Sequence, residues 1–333
     1  MLARPVTVPE FHESVLAEPV AAALAPAIDA GPDSVLVDAT CGAGGHTAAV
    51  LGRCRPTRAV LFDRDPAALA FARERLGGLQ EQQAQDERCT LNFCHAPFSS
   101  LRETLDGLGV TEVAALIADL GVSSHQFDAG ERGFSFRVDA PLDMRMDPTQ
   151  GQTAAEVLAT IDEAGLTEAL RRYGEEPEAR RIAAAIVRAR PRTTGALATV
   201  VEEAMSGRAR RLLGKRIHPA TRTFQALRIL VNGELEELEV LLRDGPERLR
   251  IGGRMAVISF HSLEDRRVKQ RFAALSRPPH VPHDLPLTRD ELPQARFVLA
   301  PELPRRGVQA DEAELARNPR SRSARLRVLE RRA

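Results

Sequence analysis

The chain has 333 residues, 46 basic against 46 acidic, with 43% hydrophobic and 28% charged side chains. A zero sum over so mixed a composition excludes a tail-driven polycation and an acidic disordered chain. The length suffices for one large domain or two modest ones with a real core.

In chain order, residues 34 to 120 alternate short β-branched runs with helical patterns, the signature of a parallel sheet with helices on its faces. Ser34 to Asp38, Ala59 to Asp63, Thr90 to Cys94 and Val113 to Asp119 read as buried strands. Helices are expected around Thr47 to Cys54 and Pro66 to Leu76, the second capped by Asp65 with Pro66 at its first position. Three of the four strands end on an aspartate, and ligands of open α/β sheets sit at the carboxyl ends of strands. From about Gly121 to His218 the strand pattern stops. Thr153 with Glu156, and Thr160 with Glu163, have capping-box spacing, and Glu178 to Arg190 reads as a helix ended by Pro191. Phe224, Leu227, Val231, Leu235, Leu238 and Leu242 then form one apolar stripe, predicting a long helix. Arg254 to Phe260 is another buried strand, and Phe297 to Ala300 with Ala324 to Leu329 are weaker strands able to close the sheet. The expected organisation is an α/β domain in two parts, 1–122 and 219–333, interrupted by a helical block over 123–218.

Zero net charge hides a segregation. Residues 1–100 carry eight basic and twelve acidic side chains, whereas 171–222 carry thirteen basic and five acidic, and 315–333 seven arginines and one glutamate. Such a split is expected where one face meets a polyanion, with Arg208, Arg210, Arg211, Lys215 and Arg216 as its densest cluster and the arginine-rich end as a tail. Only Lys215 and Lys269 are lysine, which is foremost a matter of genomic base composition, and arginine is the better fork for phosphate. Cys41, Cys54, Cys89 and Cys94 form no CxxC pair, so no metal site and no disulfide framework is expected. The start of the chain lacks a signal-peptide core and no apolar run is long enough to span a bilayer, so a soluble, cytoplasmic protein with no membrane partner is expected.

The most informative segment is Asp38-Ala-Thr-Cys-Gly42-Ala-Gly44-Gly45-His46-Thr47, between a strand and a helix. Its glycines allow close backbone approach to a ligand, and the helix start presents free N–H groups. A dinucleotide fingerprint fails because Thr47 stands where its third glycine belongs, which leaves a nicotinamide oxidoreductase as the weakest option. An acid four residues before a G-x-G-G turn suits a sulfonium amino-acid nucleotide, the strand-end Asp38 reaching its ammonium group; a purely structural turn is the alternative. Asp63, ending the next strand, can accept both hydroxyls of a ribose. Phe98 can meet an adenine, or be a core residue. Asp119 opens Asp119-Leu-Gly-Val-Ser-Ser-His125-Gln126, where a short polar motif would face both methyl group and nucleophile. Ser259, His261, Ser262 and Glu264 suggest a hydrolase, but the chain has no G-x-S-x-G elbow, and shaping the pocket at a strand end is the better reading.

Together with His12-Glu-Ser-Val-Leu16, Asp63-Arg-Asp65-Pro66, Pro97-Phe98, Glu131-Arg-Gly-Phe134-Ser-Phe136, Pro141-Leu-Asp143-Met-Arg145-Met-Asp147-Pro148, His218-Pro-Ala-Thr-Arg222-Thr-Phe-Gln225 and Ser259-Phe-His261-Ser-Leu-Glu264-Asp265-Arg266, these blocks run in order from residue 12 to about 325. The sequence resembles the bacterial 16S ribosomal RNA cytosine-N4 methyltransferases; Cys41, Ala43 and His125 depart from the family's pattern. The resemblance implies a class I, Rossmann-like methyltransferase sheet with an inserted all-helical domain. It implies S-adenosyl-L-methionine held by Gly44, Gly45, His46, Asp63, Phe98, Asp119 and Gln126. It also implies methylation of N4 of a cytidine in the decoding region of 16S rRNA, within the small ribosomal subunit. Asp119 is the candidate catalytic acceptor for the N4 proton, or a holder of the cofactor alone. Phe134 and Phe136 are candidates for a base pocket, with packing beneath the insert as the alternative. Arg145 and Arg222 are candidates for phosphate contacts, with internal ion pairs as theirs. Competing readings are an amino-methyltransferase acting on DNA or another RNA, and a non-catalytic RNA-binding assembly factor.

Overall fold

The computed structural model describes residues 14–81, 89–123, 126–127, 130–213, 218–280 and 293–333. Helix α1 (Ala17–Asp29) precedes strand β1 (Val35–Asp38), α2 (Gly45–Arg53), β2 (Arg58–Asp63), α3 (Pro66–Glu81), β3 (Thr90–His95), α4 (Leu101–Gly107) and β4 (Val113–Asp119). Among the described residues these strands join β5 (Leu249–Ser259), β6 (Phe297–Leu299) and β7 (Arg325–Arg331) in one sheet of order β3-β2-β1-β4-β5-β7-β6. β1 to β5 are parallel; β7 runs antiparallel to β5 and to β6. This is the Rossmann-like methyltransferase sheet that the resemblance implies, with the weak C-terminal strands closing one edge.

Side chains alternate across the strands, so β1 sends Leu36 to one face and Val37 to the other, and β4 sends Ile117 and Leu116 to opposite faces. On one face Val20, Leu24 and Ile28 of α1 and Val50 of α2 cover Leu36, Ile117 and Ile258. On the other, Leu101 and Leu105 of α4 and later helices cover Val37, Leu116 and Val257. Burial on both faces explains why these strands read as continuous apolar runs.

The helical block comprises α5 (Ala154–Thr160), α6 (Glu163–Gly174), α7 (Ala179–Ala189), α8 (Thr194–Ala204) and α9 (Gly207–Leu213). Thr153 and Glu156 make the expected capping box on α5. Thr160 does not cap the next helix: it ends α5, returning its hydroxyl to the carbonyls of Glu156 and Val157, and Asp162 caps α6 by accepting from Gly165 N–H. The long apolar stripe is split between two helices, α10 (Thr221–Asn232) and α11 (Glu234–Arg248). Gly233 between them has φ +60°, a left-handed residue that ends the first helix and re-aims the second. Phe224 and Leu227 therefore join the core of the helical block, with Leu166, Leu170, Ile182 and Ile186, while Leu238 and Leu242 pack on the sheet. Helix α12 (Ser262–Leu275) follows β5, and α13 (Glu312–Arg317) precedes β7. The arginine-rich end is consequently no tail. Arg325 and Arg327 of β7 pair with Asp265, Arg331 bonds the Leu249 carbonyl, and the strand buries Leu326 and Val328 on one face of the sheet and Leu329 on the other.

Candidate active site

β1 lies between β2 and β4, so the chain departs from it in opposite directions and the carboxyl ends of these strands bound a crevice. Asp38, Asp63 and Asp119 end the three strands side by side. A cavity of about 830 Å³ opens there, of a size for a nucleoside-containing ligand, and Gly45, His46, Asp63, Phe98, Asp119 and Gln126 all line it. Gly44, one residue before them, does not.

The glycine loop is built for close approach. Gly44 sits at the N-cap of α2 with φ +76°, a conformation that suits glycine. A Cβ on Gly45 would stand 1.9 Å from Ser14 Oγ and 3.1 Å from Ser14 Cβ, so the glycine lets Ser14 lie against the start of α2 without turning its hydroxyl away. Asp38 is fully buried, does not line the cavity, and is spent on the loop itself: it accepts Thr47 Oγ1 at 2.7 Å and Thr40 N–H at 3.2 Å. The ammonium contact expected of Asp38 is not set up in this structure, because its carboxylate lies beneath the loop and not on the cavity wall.

Asp63 accepts Gly42 N–H at 2.7 Å on Oδ2 and Asp65 N–H at 2.8 Å on Oδ1, and at the cavity wall each oxygen retains capacity for a further bond. Burial raises its pKa to about 6, the two N–H bonds opposing and Asp65 and Asp38 adding. Asp119 is anchored by its own N–H on Thr40 Oγ1 at 2.6 Å. Its Oδ1 is buried without a partner in the protein, whereas Oδ2 stands 3.6 Å from His46 Nδ1. Burial raises Asp119 to about 6 as well, His46 opposing while Asp38 and Glu264 add. Phe98 opens a short turn whose next residue, Ser99, donates N–H and hydroxyl to Glu237 on α11, which fixes the ring at the cavity wall. Gln126 uses both ends of its amide within the protein: Nε2 donates to Asp65 at 2.9 Å and Oε1 accepts Ser123 N–H at 3.0 Å. Arg132 joins the same Asp65 oxygen at 2.9 Å, so this carboxylate straps the loop after β4 over the crevice. His125 lies outside the described residues.

The four residues expected at the base and its phosphates do not line the cavity. Phe134 is buried in the core of the helical block, and Phe136 stacks on His218 at 4.2 Å and meets Phe224 edge-on at 5.0 Å. Arg145 grips Asp143 through two 2.8 Å bonds, the ion-pair alternative, and these outweigh burial to hold Asp143 below the usual carboxylate range. Arg222 is half-buried on α10, with its carbonyl 2.8 Å from where a Gly174 Cβ would stand. Phe260 and Glu264, after β5, do shape the cavity; Glu264 accepts Phe260 N–H at 2.8 Å. Burial works to raise Glu264, but His261, Arg228 and that N–H hold it low. Ser14, Val15, Phe127 and Arg320 also line the cavity, with no spacing pattern in the chain to announce them. Arg208, Arg210 and Arg211 are exposed on α9 and ion-pair with no described carboxylate; Lys215 and Arg216 lie outside the described residues. No described helix is long and apolar enough to cross a membrane.

The MraW methylase family model matches residues 10–332. The ribosomal RNA small subunit methyltransferase H of Azoarcus sp. (strain BH72) is 48% identical, with 96% of each chain covered. That of Aromatoleum aromaticum is 49% identical over 90% of this chain and 91% of its own. That of Thiobacillus denitrificans is 46% identical over 96% and 97%.

Proposed function

The chain belongs to the MraW methylase family, and from that membership we propose that it transfers the methyl group of S-adenosylmethionine to small-subunit ribosomal RNA, at N4 of a cytidine in the decoding region. The observation that carries the chemistry is the unpartnered, buried Oδ1 of Asp119 in the same cavity as Asp63. A buried acceptor without a donor is costly unless a ligand supplies one.

When bound, S-adenosylmethionine supplies an electrophilic methyl group on a sulfonium. Asp63 would accept the ribose hydroxyls on its free lone pairs, and Phe98 would meet the adenine. The backbone at Gly45 and His46 would pack on the methionine part, with Gly44 turning the chain into place. Gln126 acts here by holding the covering loop on Asp65. The cytidine N4 is a poor nucleophile because its lone pair is delocalised into the ring. Asp119 Oδ1 accepts an N4–H bond, which lets the nitrogen pyramidalise, and takes the proton once the new N–C bond has formed. The helical block 123–218, with exposed Arg208, Arg210 and Arg211, serves as the RNA-recognition part, interrupting the methyltransferase domain of 1–122 and 219–333. The cytidine must be turned out of its stack to reach a carboxylate this deep. The working location is the cytoplasm, on the small subunit or its precursor.

The test offers methyl-labelled S-adenosylmethionine with small subunits, naked rRNA and DNA, and identifies the modified nucleoside by mass spectrometry. N4-methylated cytidine in rRNA is expected. Its absence from every reaction sinks the proposal, and methylation of DNA alone replaces the substrate.

A further inference from the structure

Asp119 stands at the end of a series of contacts, two of them hydrogen bonds, that begins in the C-terminal part of the chain. Glu314, on α13, accepts the Leu16 N–H at 2.7 Å. Leu16 is buried and held at φ 54°, ψ 32°, a left-handed conformation that non-glycine residues keep only where their surroundings impose it. The bond to Glu314 is part of that imposition. With Leu16 so turned, the Val15 carbonyl meets His46 Nε2 at 2.9 Å, while Ser14 packs on Gly45 beside it. A carbonyl can only accept, so Nε2 must carry a hydrogen. The other ring nitrogen, Nδ1, faces Asp119 Oδ2 at 3.6 Å. His46 is itself buried, and the titratable groups that act on Asp119 besides it are Asp38 from β1 and Glu264 from α12, both of which work to raise its pKa.

We propose that His46 is the positioning residue of the methyl transfer: through the series Glu314, Leu16, Val15, its Nδ1 is aimed at Oδ2 of Asp119, which keeps that carboxylate ionised and leaves Oδ1 free for the N4 proton. With Nε2 committed to the Val15 carbonyl, Nδ1 is the ring atom left to face Oδ2, and a hydrogen there opposes the negative charge that Glu264 brings to this spot. The step balances simply. N4 gains the bond to carbon and loses one proton, Oδ1 gains that proton, and the pair left by the broken sulfur–carbon bond stays on sulfur. An N4 that already bears the new bond is a strong acid, so the step demands an ionised carboxylate more than a strongly basic one. The inference rests on the methyl-transfer reading and gives His46 a task beyond lining a cofactor pocket.

The experiment compares wild type, His46→Asn, Glu314→Ala and Glu314→Gln on small subunits. It records kcat/KM against pH, S-adenosylmethionine affinity by calorimetry, and thermal melting. Losing the imidazole, whose influence lowers the pKa of Asp119, lets that carboxyl hold its proton to higher pH. The acidic limb of His46→Asn should therefore move upward by about half a pH unit or more, with activity recovering toward wild type near about pH 9. Cofactor affinity should stay within about threefold. Glu314→Ala should move the limb the same way, and Glu314→Gln, which keeps an accepting oxygen, should not. An unmoved limb with weakened cofactor binding in His46→Asn would show a lining role only and overturn the inference. Should that variant fail to fold, the Glu314 pair decides: a limb shifted in Ala and not in Gln supports the series, and identical limbs overturn it. Wild type inactive on every nucleic acid overturns the reading beneath, whereas normal wild-type turnover with unmoved limbs overturns this inference alone.

Discussion

Replacing Asp63 by asparagine separates binding from stability in a way that follows from its two backbone bonds. Asp63 holds its proton up to a pH of about 6 because it is buried. The unfolded chain releases that proton near pH 3.9, so between the two values the folded state binds more protons. Its contribution therefore destabilises at neutral pH, by at most about 3 kcal/mol, and the penalty fades as pH falls from about 7 to about 4. The Asp63→Asn variant would escape it. Against this, an amide has one accepting oxygen, and the N–H groups of Gly42 and Asp65 both need one. Leaving one of them unmatched costs about 1–3 kcal/mol. The two effects nearly cancel, so at pH 7.5, or about there, the melting temperature should change by no more than a few degrees. Binding has no such compensation. Losing charge-assisted bonds to two ribose hydroxyls should weaken S-adenosylmethionine by about 2–3 kcal/mol, roughly 30- to 150-fold in Kd. Calorimetry reads the affinity, and melting curves at several pH values read the stability. An affinity within about threefold of wild type would refute the ribose assignment. A variant that keeps the wild-type gain in stability on acidification would refute the burial argument.

Asp119→Asn removes the proton acceptor while keeping the side chain's shape, so kcat should fall by about 10²–10⁴ with cofactor affinity nearly unchanged; unaltered turnover in a single-turnover assay would dismiss the role. Gly133 has φ +75°, and a Cβ there would stand 2.7 Å from both Asp143 N and Pro141 O. Gly133→Ala should therefore cost on the order of 3 kcal/mol in denaturant unfolding, and an unchanged midpoint would show that the loop yields. Neutralising Arg208, Arg210 and Arg211 together should weaken small-subunit binding and flatten its dependence on log salt concentration by about one unit per lost phosphate contact. An identical salt slope would remove α9 from the RNA face.

Local rules made much of this protein legible in the chain. Strands buried on both faces must be apolar throughout, so β1, β2 and β4 announce themselves, and a loop that needs Gly44 and Gly45 cannot hide them. The acids at the ends of β2 and β4 could be placed in a crevice because a parallel sheet puts successive strand ends on one edge. A cap such as Thr153 with Glu156 is likewise a matter of three residues' spacing. Spacing failed where two answers satisfy the same local rule. An apolar stripe continues through Gly233 whether or not the helix does, and only the packing of Phe224 and Leu238 into different cores decides for a break. Asp38 and Asp63 look alike as strand-end acids, each accepting one bond on each oxygen, yet the first is buried beneath the glycine loop while the second lines the cavity. Arginines 325, 327 and 331 count as a basic tail until a strand sets them on Asp265 and a backbone carbonyl. The series that ends on Asp119 starts with a bond between Glu314 and Leu16, 298 positions apart in the chain. No periodicity encodes such a meeting, because burial, unlike hydrogen-bonded local structure, is decided by which distant surfaces exclude water together.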